Sequence, residues 1–148
     1  MAIRAFKPSK KEKVGLLPAL ALSNDPVSAS NQLAEGFDFA FLGRIVKQAQ
    51  IKQATVLKAA GVDRGTLSRH TKARTKWTGA SAVKVYNAAR IIDAALNLFD
   101  QDQQKAENWL NTPAIALGGI SPADYAKYPL GQEAVIDLIG RIKHGVII

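Results

Sequence analysis

The amino-acid sequence predicts an all-α protein, and three observations lead to this fold class. Apolar residues recur at helical spacing, most clearly over residues 80–99. No segment alternates apolar and polar residues as a half-buried strand does. Good capping residues stand where the helical patterns begin. Of the 148 residues, 47% are hydrophobic and 22% are charged, so the chain can bury a modest core of packed helices.

The elements can be placed in order along the chain. Residues 1–32 are predicted to be weakly ordered, because Pro8 and Pro26 break helices and the neighbouring serines and asparagines favour loops. From Phe39 onwards the apolar spacing becomes helical. Further helices are predicted over 53–60, from the Asp63 cap to 73, over 80–99, from Asp102 to 110, after the Ser121 N-cap, and over 130–143.

The net charge of +8 is unevenly distributed. Residues 1–62 and 63–99 each carry a net charge of +5, whereas residues 100–148 carry −2. A basic front half can bind a polyanion, whereas the mildly acidic back half has no electrostatic reason to do so. We therefore expect a partly flexible N-terminal extension (1–34), a helix-turn-helix DNA-binding domain with a long connecting helix (35–99) and a small C-terminal helical domain (100–148).

Residues 53–70 have the spacing of a helix-turn-helix motif, with a short first helix, a tight turn and a second helix that can enter the major groove. Gly61 supplies the left-handed turn, Val62 fills the gap beside it, and Leu67 is the expected buried anchor of the second helix. His70 is expected to be an ordinary helix-surface residue. The side chains predicted to face DNA are those of Arg64, Thr66, Ser68, Arg69, Lys72 and, just beyond the helix, Arg74.

Several classes of function are excluded or disfavoured. The absence of cysteine excludes disulfides, cysteine-ligated zinc and thiol nucleophiles. The two histidines, His70 and His144, have no close carboxylate partner in the sequence, so we expect neither an enzyme nor a cofactor or metal site. The longest apolar runs are far too short to span a membrane. We therefore expect a cytoplasmic protein without a membrane partner.

The back half contains a tight bend and an apolar tail. Trp109, Leu110, Leu117 and Tyr125 are expected to form the core of a small domain, with Gly118 and Gly119 as turn glycines. Beyond Gly145, which ends the last helix, the sequence closes on Val146, Ile147 and Ile148. Apolar residues left in solvent at a terminus usually mark an interaction site, so we expect this tail to contact a partner.

Three segments together resemble one family. They are A-G-V-D-R-G-T-L-S-R at 60–69, W-L-N-T-P-A-I-A-L-G-G-I-S-P-A-D at 109–124 and G-Q-E-A-V-I-D-L-I-G-R-I-K-H-G-V at 131–146. The first segment is generic, whereas the other two are much more specific. Over roughly residues 35–148 the chain resembles the Xre-type antitoxins of RES–Xre toxin–antitoxin modules, also called the MbcA/ParS/Xre family.

The resemblance implies two functions. The front domain would repress transcription by binding operator DNA in its own promoter. The back domain would bind a RES-domain toxin, which consumes NAD or transfers ADP-ribose, and its C-terminal segment would obstruct the toxin active site. The residues implied in toxin binding are Arg141, Lys143, Gly145, Val146, Ile147 and Ile148. The chain would act as a homodimer within a hetero-oligomeric complex. One departure from the family pattern, at residues 75–81, leaves the operator preference open.

Two alternatives to this reading stay open. The chain could be a dimeric transcriptional repressor that has no toxin partner and uses its back half only to dimerise. Alternatively, the helix-turn-helix does not bind DNA and is either an ordinary helical hairpin with a solvated basic face or a protein-contact or dimerisation surface. A steep dependence of DNA affinity on salt concentration would exclude this second alternative.

Overall fold

A computed structural model describes residues 15–145, and these residues form a purely helical structure. The predicted all-α fold class is confirmed over this range, where strand-like pairing is limited to two isolated bridges, Phe37 with Trp77 and Ala114 with Ile120. A short 3-10 helix covers Ile115–Leu117. The α-helices of the described range are α1 (Leu16–Ala19), α2 (Pro26–Glu35), α3 (Phe41–Ala49), α4 (Gln53–Ala60), α5 (Arg64–Ala73), α6 (Gly79–Leu98), α7 (Gln103–Asn111), α8 (Pro122–Ala126) and α9 (Gly131–Lys143).

Helix α6 is the central element of the core. It contacts helices from both halves of the chain: α1, α2, α3, α4, α7, α8 and α9. Small residues such as Ala82 and Ala88 are fully buried on it, and they let neighbouring helices approach closely. Larger buried residues, among them Val85, Ile92 and Leu96, fill the space between those neighbours. The apolar face predicted for residues 80–99 is therefore the core of the structure.

Helix α4 is the second point where the two halves meet. It packs against α6 and α8, and also against α3 and α7. Val56, Ala59 and Ala60 are almost completely buried in these contacts. The contacts join residues on both sides of the predicted domain boundary between residues 99 and 100. The boundary itself stays a prediction about the organisation of the chain.

Local capping chemistry accounts for where several helices begin. Asp63 Oδ1 accepts a hydrogen bond from the Thr66 backbone N–H at 2.6 Å, as predicted for the start of α5. Asp102 Oδ1 accepts from the Lys105 N–H at 3.0 Å at the start of α7. Ser121 Oγ accepts from the Asp124 N–H at 3.3 Å before α8, which confirms the predicted N-cap. Each cap satisfies a backbone donor that the first helical turn leaves unpaired.

Residues 15–32 contain helices and buried side chains that the sequence did not predict. Leu16, Leu17 and Leu22 are buried against the shared core. Pro26 starts helix α2 instead of breaking one, because it occupies the first turn behind the Asp25 cap, where its missing N–H costs nothing. The expectation that Pro26 breaks a helix was wrong, whereas the flexibility of this segment stays a prediction. The rest of that expectation, for residues 1–14, lies outside the described residues.

No helix between residues 15 and 145 is both long enough and apolar enough to cross a membrane.

Candidate functional site

The helix-turn-helix motif has the predicted geometry. Helix α4 ends at Ala60, Gly61 adopts the left-handed conformation with φ 66° and ψ 34°, and α5 begins at Arg64. Gly61 can adopt this conformation without strain because it has no Cβ. Val62 is buried beside the turn, as expected. The sequence therefore predicted this motif to the residue.

The anchoring of α5 differs from the prediction. Leu67, the expected buried anchor, is only half-buried, and no residue of α5 is fully buried. Leu67 nevertheless packs against the core, and a second contact is made by His70, whose ring stacks on the buried indole of Trp77. His70 Nδ1 also lies 3.0 Å from the Thr75 carbonyl oxygen, within hydrogen-bond distance. His70 lies at the helix surface as expected, but its contact with Trp77 was missed, because Trp77 lies beyond the helix, where no local pattern reveals the contact.

The side chains predicted to face DNA lie mainly in solvent. Thr66 is half-buried, and its Oγ1 accepts a hydrogen bond from Arg69 Nη2 at 3.1 Å. Over residues 15–145 the ion pairs are Arg44 with Asp38 and Arg141 with Asp137, so no basic group on α5 forms a direct ion pair there, although the charge of Arg69 acts on Asp63 and helps to lower the pKa of its carboxyl. The exposed members of the predicted set are Arg64, Ser68, Arg69, Lys72 and Arg74.

The cap of α5 is itself charged. The hydrogen bond from the Thr66 backbone N–H lowers the pKa of the Asp63 carboxyl below its ordinary value, and the Thr66 side chain lowers it further. The carboxylate is therefore ionised at neutral pH, and its negative charge interacts favourably with the positive end of the helix dipole. The N-terminal end of α5 is fixed by this bond, in addition to the ring stacking at its other end.

The C-terminal helices form a small bundle around a tight bend. Leu110 and Leu117 are buried, as predicted, while Trp109 and Tyr125 are half-buried. Gly118 and Gly119 both have positive φ, 68° and 82°, which confirms the predicted glycine turn. Helix α9 starts so close to α8 that a Cβ on Gly131 would overlap the Tyr125 carbonyl oxygen. Only glycine therefore fits at the first position of α9.

Part of the predicted toxin-binding set can be located. Arg141 and Lys143 are exposed at the end of α9, and Arg141 forms an i,i+4 ion pair of 3.0 Å with Asp137. Gly145 follows the helix with φ 71°. The remaining members, Val146, Ile147 and Ile148, lie outside the described residues. That these residues contact a toxin stays a prediction.

Exposed apolar side chains in the same half were missed by the sequence reasoning. Ile115 is 98% exposed and Leu130 is 83% exposed, while Tyr128 and Ile142 are also accessible. Exposed apolar residues of this size are candidates for contact with a partner. Their positions beside turns could have indicated this exposure. Ile115 lies shortly before the glycine pair, and Leu130 directly precedes Gly131.

A polar network joins the helix-turn-helix to the C-terminal helices. The buried Thr55 hydroxyl on α4 donates to Glu107 Oε1 at 2.8 Å and accepts from Asn111 Nδ2 at 3.0 Å. Lys58 Nζ donates to Asn111 Oδ1 at 3.1 Å. These bonds connect two surfaces that the sequence assigns to different functions. Nothing in the local sequence pattern predicts the pairing, because Thr55 and Asn111 lie far apart along the chain.

In the described part of the chain, no group of three or more histidine, aspartate or glutamate residues could hold a metal ion.

Comparison with known proteins places these C-terminal helices in a family. Residues 94–145, which contain α7, α8 and α9, match the antitoxin Xre/MbcA/ParS C-terminal toxin-binding domain. A protein named antitoxin Xre from Yersinia enterocolitica is 34% identical over 111 residues, which cover 75% of each chain. The chain belongs to the Xre/MbcA/ParS antitoxin family. A second antitoxin Xre, from Photorhabdus laumondii, is 28% identical over 149 residues and covers 98% of this chain and 99% of its own.

Membership confirms the family resemblance seen in the sequence. The antitoxin carries its toxin-binding domain in the helices that also expose Ile115, Leu130 and Arg141. The helix-turn-helix precedes that domain in the chain and packs against it through α4 and α8.

Proposed function

We propose that this antitoxin neutralises a RES-domain toxin through its C-terminal helices and represses its own operon through the helix-turn-helix. The observation that carries the proposal is the fusion of the two surfaces in one molecule. An exposed basic recognition helix, α5, precedes a domain that matches the toxin-binding family.

The neutralising half of the proposal is supported by exposure at the end of α9. Arg141 and Lys143 lie in solvent, and the chain continues past Gly145 into Val146, Ile147 and Ile148. A segment of this kind can enter a cleft of a partner, with the apolar residues excluding water and the basic residues contacting acidic groups. We propose that it obstructs the NAD site of the toxin.

The repressor half is supported by the charge and exposure of α5. Arg64 and Arg69 can donate two hydrogen bonds to a guanine edge, whereas Ser68 and Lys72 can hold phosphates. A helix-turn-helix protein reads two half-sites through a two-fold axis, so we propose that the antitoxin acts as a homodimer in its complex with the toxin.

The proposal is tested by expressing the antitoxin with the product of the adjacent gene. Stoichiometric co-purification and restored growth of the host are expected, together with binding of the complex to the promoter DNA of the operon. An antitoxin that binds this DNA but neither co-purifies with nor protects against the neighbouring product would favour the dimeric repressor without a toxin partner. An antitoxin that co-purifies with the neighbouring product and protects the host but does not bind the DNA would favour a helix-turn-helix that serves as a protein contact.

A further inference from the structure

An open groove lies where the turn of the helix-turn-helix meets the end of α8. Its volume is about 450 Å³, and its basic lining residues are Lys58 on α4, Arg64 on α5 and Lys127 just after α8. The approach is close, since a Cβ on Gly61 would lie 3.2 Å from the Lys127 Cβ. A lysine of the toxin-binding domain is thereby held next to the turn of the DNA-reading motif.

Three cationic side chains and two carboxylates line this groove, so its net charge is positive but small. Lys58, Arg64 and Lys127 are all exposed, and none forms an ion pair with a carboxylate in the range 15–145. Both acidic residues of the groove already accept hydrogen bonds within the protein. Asp63 Oδ1 accepts from the Thr66 N–H at 2.6 Å, and Asp124 Oδ2 accepts from Ser121 Oγ at 3.1 Å. An anionic ligand can contact Lys58 and Lys127 here, beside Arg64 at the start of α5.

We propose that this groove binds the phosphate backbone of the duplex that α5 reads, and that Lys127 is a DNA-contacting residue supplied by the toxin-binding domain. The proposal rests on the proposed DNA-binding function. The first residues of a recognition helix contact base edges, so a phosphate strand bordering the major groove passes beside that end of the helix. Arg64 lies at that end of α5, and Lys127 lines the same groove.

The role of each cation follows from its neighbours. Lys58 is oriented by its hydrogen bond to Asn111 Oδ1, and the Lys127 ammonium lies 5.3 Å from the centre of the Tyr128 ring. Neither interaction neutralises the charge, so both groups can release counterions from the duplex when they contact it. Contacts of this type position the protein on DNA and carry no base preference.

The test compares Lys127→Gln with Lys105→Gln in the full-length chain. Lys105 is an exposed lysine on α7, in the same domain but outside the groove, so the two variants lose the same charge. Affinity is measured over a range of salt concentrations for a duplex carrying the upstream sequence of the gene and for a scrambled duplex of equal length. Circular dichroism establishes that both variants are folded.

Lys127→Gln is expected to weaken binding to both duplexes by a similar factor and to reduce the slope of log affinity against log salt by about one. Lys105→Gln and Lys127→Arg should retain the slope of the parent protein. If the parent protein binds DNA with a steep salt slope and Lys127→Gln has the same affinity and slope, this inference is overturned while the proposed DNA binding stands. A parent protein that does not bind DNA would overturn the repressor half of the proposed function as well.

Discussion

His70 on α5 stacks flat against Trp77, with ring centroids 3.7 Å apart and the two ring planes within 2° of parallel. Trp77 is completely buried, and its backbone pairs with Phe37 through hydrogen bonds of 2.7 and 2.8 Å. The stacking therefore connects the exposed helix α5 to a buried residue of the core. Helix α5 has no fully buried residue of its own, so this contact is a principal restraint on its C-terminal end.

The first prediction concerns this stacking. His70→Ala should lower the free energy of unfolding by about 1 kcal/mol, because it removes an aromatic pair of ordinary strength. The larger effect is expected locally, as faster hydrogen exchange of the α5 amides. A matched control is Thr71→Ala, at an adjacent exposed position whose hydroxyl bonds only to Leu67 O within the same helix. Equal exchange rates in the two variants would contradict the restraint.

The second prediction concerns the buried hydroxyl that joins the two halves. Thr55→Val keeps the shape of the side chain but leaves Glu107 Oε1 and Asn111 Nδ2 without this partner. Losing a buried hydrogen-bond partner costs about 1–3 kcal/mol of unfolding free energy, measured by denaturant titration. Thr71→Val is the control, since its exposed hydroxyl bonds within one helix. The idea fails if both substitutions have equally small effects.

The third prediction is a pH dependence at the start of α5. The folded state lowers the pKa of Asp63, so the cap stabilises the protein above the pKa of the unfolded state and this stabilisation is lost as pH falls through the folded pKa. Asp63→Ala should therefore be less stable than the parent protein at neutral pH. This difference in stability between the two proteins should narrow once the pH drops below the ordinary pKa of an aspartate. Thermal unfolding at several pH values measures this difference in stability. A difference that does not depend on pH would count against the charged cap.

The fourth prediction concerns the DNA-reading residues. Arg64→Ala and Arg69→Ala should each weaken binding to promoter DNA by about 1–3 kcal/mol if the guanidinium contacts a base. Lys84→Ala on α6 is the control, because Lys84 is equally exposed and basic but lies outside the motif. Mobility-shift titrations compare the three variants. Unchanged affinity for both arginine variants would show that another surface reads the operator.

The fifth prediction concerns toxin neutralisation. Removing residues 141–148 should abolish protection against the cognate toxin in a growth assay while the fold persists, because the described part of this segment, residues 141–145, is exposed. Promoter binding by the truncated chain is the control for folding. Removing only residues 146–148 separates the apolar tail from Arg141 and Lys143. Full protection by the longer truncation would contradict the proposal that this segment obstructs the toxin.

The sequence predicted those features that local chemistry decides. Helix α4 runs from Gln53 to Ala60 as expected, because Gly61 ends it in the left-handed conformation. Helix α8 begins after Ser121 as expected, because a serine cap followed by proline is a strong helix start. Such signals depend on a few adjacent residues and need no knowledge of the rest of the fold.

Features that depend on tertiary contact were not predictable in the same way. Leu16 and Leu17 are buried because α6 packs over them, which no pattern within residues 1–32 reveals. The Thr55–Asn111 bond and the position of Lys127 beside Gly61 depend on how α7 and α8 pack on α4. The candidate DNA-binding face was therefore found from sequence on α5, whereas its extension onto the C-terminal domain required the structure.

The unequal packing of α4 and α5 has a consequence for how operator preference can evolve. Helix α4 is wedged between α6 and α8, so transplanting the entire helix-turn-helix from a relative would also require a matching surface on the toxin-binding domain. Helix α5, by contrast, can change its exposed side chains without disturbing any fully buried neighbour of its own. If α5 reads the operator as proposed, related antitoxins can diverge in the promoters they recognise by point substitutions on α5, without any change in the helices of the toxin-binding domain.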